Sequence, residues 1–429
     1  MIAVQQRQRG RLVALTAFVC LLCTLPYWRA LTLPAISDTY LQVWAGRHYG
    51  PISQWSELAA DALYRCRTTS IWLTAVTESI FGFSQPILQL ESLLLHLLNV
   101  CLIAALGRWS RIGFQISIPA ALLWGLNERH HEAVIWYAAL PEQLVFFFVI
   151  LTVLLWLEWW QNGKVLFYWA SLTSFLLALL SKESAVAVCA LIVLPLLFEP
   201  KRYRQLLHAA APYFFLSITY FAFNFLDRST NLHWNDGTFR IGWHFLPVLF
   251  NSTARLFSVW GIAAIALLVY NRKTVEWRIV LFALAWIPIC LAPYVFVSYM
   301  PRVPSRHVYL ASLGVALLIS VAVRPLLQSR STVLLLLGLY LVSNTGYIWF
   351  YKHNQFVERA NVTEHLIRDA KLLSTAEDQR ALQVSCFPLA PEIAVIALSQ
   401  HLGLAESRIS VDKTVSASCL KPQVQLVLD

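Results

Sequence analysis

The sequence predicts an all-α polytopic membrane protein of about eleven (9–13) transmembrane helices with a small soluble α/β segment at its C-terminal end. Three observations predict it. Hydrophobic residues make up 58% of the 429 positions and charged ones only 13%, too little charge to keep a chain of this length soluble. Apolar runs of roughly 20 residues, the length that spans a bilayer, recur from the N-terminus onward. Beyond residue 352 those runs stop.

The eleven candidate spans lie at 12–32, 86–107, 112–127, 143–160, 165–181, 183–199, 207–226, 256–271, 278–298, 307–324 and 331–351. The stretch at 241–256, apolar but carrying His244, Asn251 and Arg255, reads as an interfacial helix or a further span. No small-residue cleavage site is evident around the first run, which reads as a retained signal anchor. Seventeen Trp, 16 Tyr and 24 Phe fit interfacial anchoring and pocket walls. The net charge of +10 is spread over short loops without interleaved aromatics, so it marks topology and not a nucleic-acid partner.

Orientation follows from Lys and Arg near the helix ends. The loops with Arg7, Arg9 and Arg11, Arg108 and Arg111, Lys164, Lys201, Arg202 and Arg204, Arg272, Lys273 and Arg278, and Arg324 and Arg330 are assigned to the cytoplasm. The opposite loops hold Asp38, Glu57, Asp61, Glu78, Glu128, Glu132, Glu142, Glu183, Asp227 and Asp236, which places most acids outside. Glu158, Glu199 and Glu276 remain inside. An odd span number with a cytoplasmic N-terminus puts the C-terminal segment outside as well.

Polar residues cluster on that outer side. The first external loop, 33–85, begins with Ser37-Asp38-Thr39, so Asp38 sits at the membrane surface. A carboxylate there can take a proton from a hydroxyl or hold a cation that binds phosphate, although a helix-capping Asp is the simpler reading. Later in the loop Arg65 and Arg67 precede Thr68, Thr69 and Ser70, a phosphate-compatible set in which either arginine could equally only snorkel to lipid headgroups. The second span carries Glu91, His96 and Asn99; polar groups at that depth face a cavity or bind a neighbouring helix.

Three more clusters follow. Asn127 to Tyr137, with Glu128, His130, His131 and Glu132 ahead of Glu142, combines imidazoles with carboxylates, a donor set compatible with a divalent cation, yet without the helical spacing of a hydrolytic zinc site. Lys182-Glu183 joins two spans with no room for a flexible loop, so the two can pair with each other or meet a phosphate. Arg306, in Pro304-Ser305-Arg306-His307-Val308-Tyr309 at the start of a span, is placed to meet an anion. No Gly-rich phosphate loop, internal repeat or tetratricopeptide pattern is present.

The tail at 352–429 reads as a helix at 354–373, a strand at 381–385, a helix at 391–402 and strands at 408–411 and 424–428. Its Cys386 and Cys419 form a disulfide in an oxidising compartment or remain two small unpaired residues.

Leu93-Leu94-Leu95-His96-Leu97-Leu98-Asn99, His130-His131-Glu132-Ala133-Val134-Ile135-Trp136, Leu179-Leu180-Ser181-Lys182-Glu183 and Ser305-Arg306-His307-Val308-Tyr309 occur in an order that resembles the membrane part of the transmembrane and tetratricopeptide-repeat O-mannosyltransferases and their bacterial relatives, GT-C superfamily glycosyltransferases. The resemblance covers residues 12–325 and begins in the first loop, from Tyr64-Arg65 to Gly82. Where that family has paired first-loop aspartates, this chain has Ser37-Asp38. The resemblance implies a GT-C-like bundle in a plasma membrane, and inverting transfer of a sugar from a polyprenyl-phosphate-linked donor to an extracytoplasmic acceptor, whether protein, lipid or surface glycan. It implies Asp38 as base, Glu132 and His130 shaping the pocket, and Arg65, His96, Lys182, Glu183, Arg306 and Tyr309 binding substrate. The partners are then the lipid-linked sugar donor, the acceptor and membrane lipids, with no nucleic acid; no cofactor is assigned, and a divalent cation is compatible. A transporter or lipid flippase would instead place ionisable groups at mid-membrane in paired helices, and a catalytically lapsed scaffold would suit the single Asp38.

Overall fold

The structure, a computed structural model, describes residues 2–373, 381–412 and 423–427. Helix α1 (Ile2–Thr24) opens the chain. It stops short of the expected residue 32 because Pro26 cannot donate to the helical ladder. The first long excursion folds into α2 (Asp38–Tyr49), α3 (Trp55–Ala60) and α4 (Thr68–Phe81). Next come α5 (Gln85–Ala105), α6 (Phe114–Gly125), the short α7 (His131–Ile135), α8 (Leu140–Asn162) and α9 (Val165–Leu179). The chain continues through α10 (Val188–Leu191), α11 (Tyr203–Leu226), α12 (Leu232–Asn235), α13 (Phe245–Tyr270), α14 (Trp277–Leu291) and α15 (Ser312–Val323). Helix α16 (Arg330–Gly346) runs through a π-helical turn directly into α17 (His353–Leu373).

Six helical stretches among the described residues are long and apolar enough to cross a membrane: Gln85–Arg108, Tyr137–Asn162, Pro200–Ser229, Phe245–Tyr270, Trp277–Tyr294 and Arg330–Leu373. Five shorter apolar helices, from Gly10–Thr24 to Ser312–Gln328, occupy the remaining positions at which the sequence shows an apolar run. Large apolar side chains such as Ile218, Val259 and Leu334 stand exposed on these helices, where lipid and not water is their solvent. The chain is an integral, multi-pass membrane protein. Residues 241–256 form neither a separate interfacial helix nor an added span. From Phe245 onward they are the first half of α13, which continues past a non-helical Ser258 (φ 44°, ψ −159°).

Close packing holds the bundle. A Cβ on Gly125 would lie 2.4 Å from Cys23 Sγ and 2.8 Å from Val100 Cγ2, so only glycine lets α6 meet α1 and α5 this closely. At one end of the bundle, ion pairs join the basic loops to the three acids assigned with them: Arg108–Glu158 at 2.8 Å, Arg111–Glu199 at 3.3 Å and Arg324–Glu276 at 3.0 Å.

At the other end α17 leads to a three-stranded sheet of order β2-β1-β3: β1 (Ala381–Ser385) pairs in parallel with β2 (Ile409–Val411) and antiparallel with β3 (Gln423–Val427), Leu382 standing opposite both Ile409 and Leu426. The crossover helix α18 (Pro391–Leu402) starts on a Pro and ends on Gly403 in the left-handed region (φ 68°), a position that favours glycine. Its Ile393, Ile396 and Ala397 share one apolar core with Leu382 and Val384 of β1 and with Tyr40 and Val43 of α2. The Tyr40 hydroxyl and His401 Nε2 are 3.1 Å apart across that contact. Cys419, the second cysteine of the segment, lies outside the described residues.

Candidate functional site

Asp38 begins α2, and its position is set from both sides. The backbone N–H of Thr39 donates to the Ile36 carbonyl at 2.7 Å, and the hydroxyl of Ser37 donates to the Arg359 carbonyl of α17 at 3.3 Å. Its carboxylate makes no hydrogen bond or ion pair among the described residues, so it does not cap the helix. Burial raises its pKa above the ordinary aspartate value, and Arg306 and Arg359 only partly offset that rise.

Those two arginines meet at Glu132, on α7. The short helix follows a tight turn in which Asn127 Oδ1 accepts from the Arg129 N–H at 2.9 Å. Glu132 Oε2 accepts from the Arg306 backbone N–H at 3.2 Å and lies 3.7 Å from the Arg306 guanidinium; its Oε1 lies 3.7 Å from the Arg359 guanidinium. Both guanidiniums lie over the Trp136 ring, at 4.9 and 5.3 Å from its centroid. Burial by itself would raise the Glu132 pKa, but Arg306, His131 and Arg359 together hold it below the usual glutamate value. The Glu132 carboxylate thus faces two cations, and the same two arginines act on Asp38.

A second ionic group centres on Glu142, in the first turn of α8 and only 2% exposed. Its Oε1 receives the Lys182 ammonium and His307 Nδ1, and its Oε2 accepts from the Tyr294 hydroxyl at 2.6 Å. Ser184 in turn bonds Tyr294 at 2.7 Å, and the Tyr294 and His307 rings stack at 4.5 Å. Lys182 therefore pairs with Glu142, forty residues away, while Glu183 starts the next turn and makes no ion pair among the described residues.

His96, Tyr309 and His130 belong to a third group, fully buried in the bundle. His96 Nε2–H donates to the Gly125 carbonyl at 3.0 Å, and its Nδ1 accepts from the Tyr309 hydroxyl at 2.8 Å. The Ser312 hydroxyl donates to the Tyr309 carbonyl, so His130 Nε2–H donates to Ser312 Oγ, at 2.7 Å. Trp124 packs 4.5 Å from the His130 ring and donates its indole N–H to the Tyr309 carbonyl at 3.2 Å. These bonds fix the turn that carries Arg306 and His307 against α6. His131 is likewise committed, its Nδ1 lying 2.6 Å from the Glu128 carbonyl, and burial lowers its pKa to about 4. No group of three His, Cys, Asp or Glu suited to a metal ion occurs among the described residues, so the donor set that suggested a cation does not converge there.

Arg65 stands apart again. Asp61 Oδ1 accepts from the backbone N–H groups of Leu63 and Tyr64 at 2.8 Å, and that turn delivers Arg65 to the end of α11. There its guanidinium binds Asp227 at 2.6 Å and Asn224 at 3.2 and 3.3 Å, over the Phe223 ring.

The fold can be set beside known proteins. The chain is similar in outline to a crystal structure of ArnT from Cupriavidus metallidurans bound to undecaprenyl phosphate, with 16% identity and a TM-score of 0.46 over 93% of this chain and 76% of that one. No residue role is transferred from it. No protein-family model and no curated protein matches the chain.

The structure thus brings Asp38, Glu132 and Arg306 together, Lys182 with Glu142, and His96, His130 and Tyr309 in the core. Sequence reading missed Arg359, Trp136 and Tyr294 as site residues. Arg359 sits in a helix with no apolar run and no motif around it, so nothing local marks it. His307 and Glu142 did carry a signal, as ionisable residues at the edges of apolar runs.

Proposed function

We propose that this protein is a GT-C-type glycosyltransferase that moves a sugar from a polyprenyl-phosphate carrier to a hydroxyl-bearing acceptor, with inversion at the anomeric carbon. The observation that carries the proposal is the placement of Asp38. An unpaired, half-buried carboxylate with a raised pKa, set beside Arg306, is suited to remove a proton next to a site where anionic charge develops.

In the reaction the acceptor oxygen forms its bond to the anomeric carbon while the bond from that carbon to the phosphate oxygen breaks. The acceptor proton passes to the Asp38 carboxylate, and the negative charge leaves on the lipid phosphate. Arg306, oriented by Glu132 through both its backbone and its side chain, receives that charge. The Lys182–Glu142–His307–Tyr294 group fixes the neighbouring wall. The core bonds of His96, His130 and Tyr309 hold the Arg306 turn rigid, which is the pre-organisation that electrostatic catalysis needs.

The same reading places eleven crossings in the membrane, the N-terminus in the cytoplasm and the sheet-bearing tail outside, in a bacterial plasma membrane, with a mannose-like sugar and a protein or envelope glycan as acceptor. The helices of the first loop would then lie at the outer membrane surface, where a lipid-linked donor presents its headgroup.

The test is direct. Purified protein in detergent, given polyprenyl-phosphate hexoses and a panel of acceptors, is expected to release polyprenyl phosphate and form a glycoside of inverted configuration. A protein that releases none from any donor, or that gives a retained product, overturns the proposal.

A further inference from the structure

Helix α17, the first helix of the C-terminal segment, reaches into the centre. Arg359 O accepts from Ser37 Oγ at 3.3 Å, next to Asp38, and its guanidinium lies 3.7 Å from Glu132 Oε1. The three side chains form a gradient of exposure: Glu132 is 14% exposed, Arg306 25% and Arg359 46%. Glu132 is the base of the centre, Arg306 its wall and Arg359 its open rim.

Charge points the same way. Two guanidiniums meet at the Glu132 carboxylate, and both lie over the Trp136 ring, 4.9 and 5.3 Å from its centroid. An arginine pair of this kind binds phosphate oxygens in forked geometry. The placement of Arg359 does not depend on its side chain alone. Phe356, Ala360, Leu366 and Ile367 bury α17 against its surroundings, and the bond from Ser37 reaches a backbone carbonyl. Further along, Arg47 of α2 bonds Glu78 and lies 3.2 Å from Glu406 of the tail, and the α18 core closes on Tyr40 and Val43. The tail is thereby clamped to the helix that begins with Asp38.

We infer that Arg359 is a ligand-binding residue of this centre, supplied by the C-terminal segment, and that with Arg306 it clamps the phosphate of a phosphate-bearing ligand across Trp136. The inference extends the glycosyltransferase reading by making the donor phosphate that ligand, but it stands on the anion site itself.

The experiment uses the full chain in detergent and follows thermal unfolding against two probes, inorganic phosphate and undecaprenyl phosphate. The comparison is between wild type, Arg359→Ala, Arg359→Lys and Arg368→Ala, the last an exposed arginine on the same helix paired with Asp369. Wild type is expected to be stabilised by both probes. Arg359→Ala should need about tenfold more of either, Arg359→Lys should fall between, and Arg368→Ala should match wild type. Stabilisation of Arg359→Ala equal to wild type with both probes overturns the inference, as does an equal loss in Arg368→Ala. Wild type stabilised by inorganic phosphate through Arg359 but not by the lipid phosphate leaves the anion site standing and removes the proposed donor. Wild type stabilised by neither probe overturns both.

Discussion

Arg306 holds Glu132 through two different parts of itself, a backbone N–H at 3.2 Å and a guanidinium at 3.7 Å from the same carboxylate oxygen. The pair spans 174 residues of sequence and locks the turn after Pro304 onto α7. Glu132→Gln preserves shape and an acceptor oxygen but removes the charge. It is expected to raise the KM for a lipid-phosphate donor about tenfold with a smaller change in kcat, as measured by donor titration at saturating acceptor.

Asp38→Asn should lower kcat by roughly 10²–10⁴-fold, the range attributed to a positioned general base. It should not lower thermal stability. A carboxyl whose folded pKa is raised is destabilising once ionised, so replacing it with a neutral amide removes that cost. A large loss of stability together with activity would assign Asp38 a structural role instead.

The pH dependence follows from the same group. Asp38 must be ionised to act as base, and its raised pKa means that activity falls on acidification at a higher pH than an ordinary aspartate would give. Glu132 behaves oppositely. Its folded pKa is depressed, so the stability it contributes is present above the ordinary glutamate range and is lost as pH falls through the depressed value. A pH–rate profile should therefore decline before the folded protein weakens, and a coincident decline would contradict the assignment.

Lys182→Met leaves Glu142 buried without its ammonium partner. Breaking a buried pair from one side costs roughly 3–5 kcal/mol, which should appear as a clear loss of resistance to unfolding by denaturing detergent. The double variant Lys182→Met/Glu142→Gln should recover part of that loss. No recovery would mean that the two residues act independently.

Gly125→Ala tests the packing of the bundle. The new methyl carbon would meet Cys23 Sγ and Val100, and overpacking of this kind typically costs about 1–3 kcal/mol. The His96 bond to the Gly125 carbonyl should weaken with it, so both thermal stability and the proposed activity should fall.

Much of the architecture was legible in the chain. Apolar runs located the helices because a bilayer demands such runs wherever a helix crosses it, and the strands at Ala381–Ser385 and Gln423–Val427 followed from alternation. The ends were less legible. The run at 12–32 is cut at Thr24, and the one at 307–324 becomes α-helical only at Ser312, because Pro26 and the 3-10 turn after Pro304 override hydropathy. Among the site residues, Asp38, Glu132 and Arg306 were visible as ionisable groups beside apolar runs, which is where burial makes charge informative.

Composition and the recurrence of apolar runs of roughly 20 residues by themselves determined that this chain lives in a membrane. Only the tertiary structure decided who meets whom: Lys182 with Glu142 and not Glu183, His130 with Ser312 in the core, and Arg359 of the tail with Glu132 beside Asp38. The reason is physical. Helical periodicity reports which face of a helix avoids its solvent, but the partner of a charge is fixed by packing between segments far apart in sequence, and no local pattern encodes that choice.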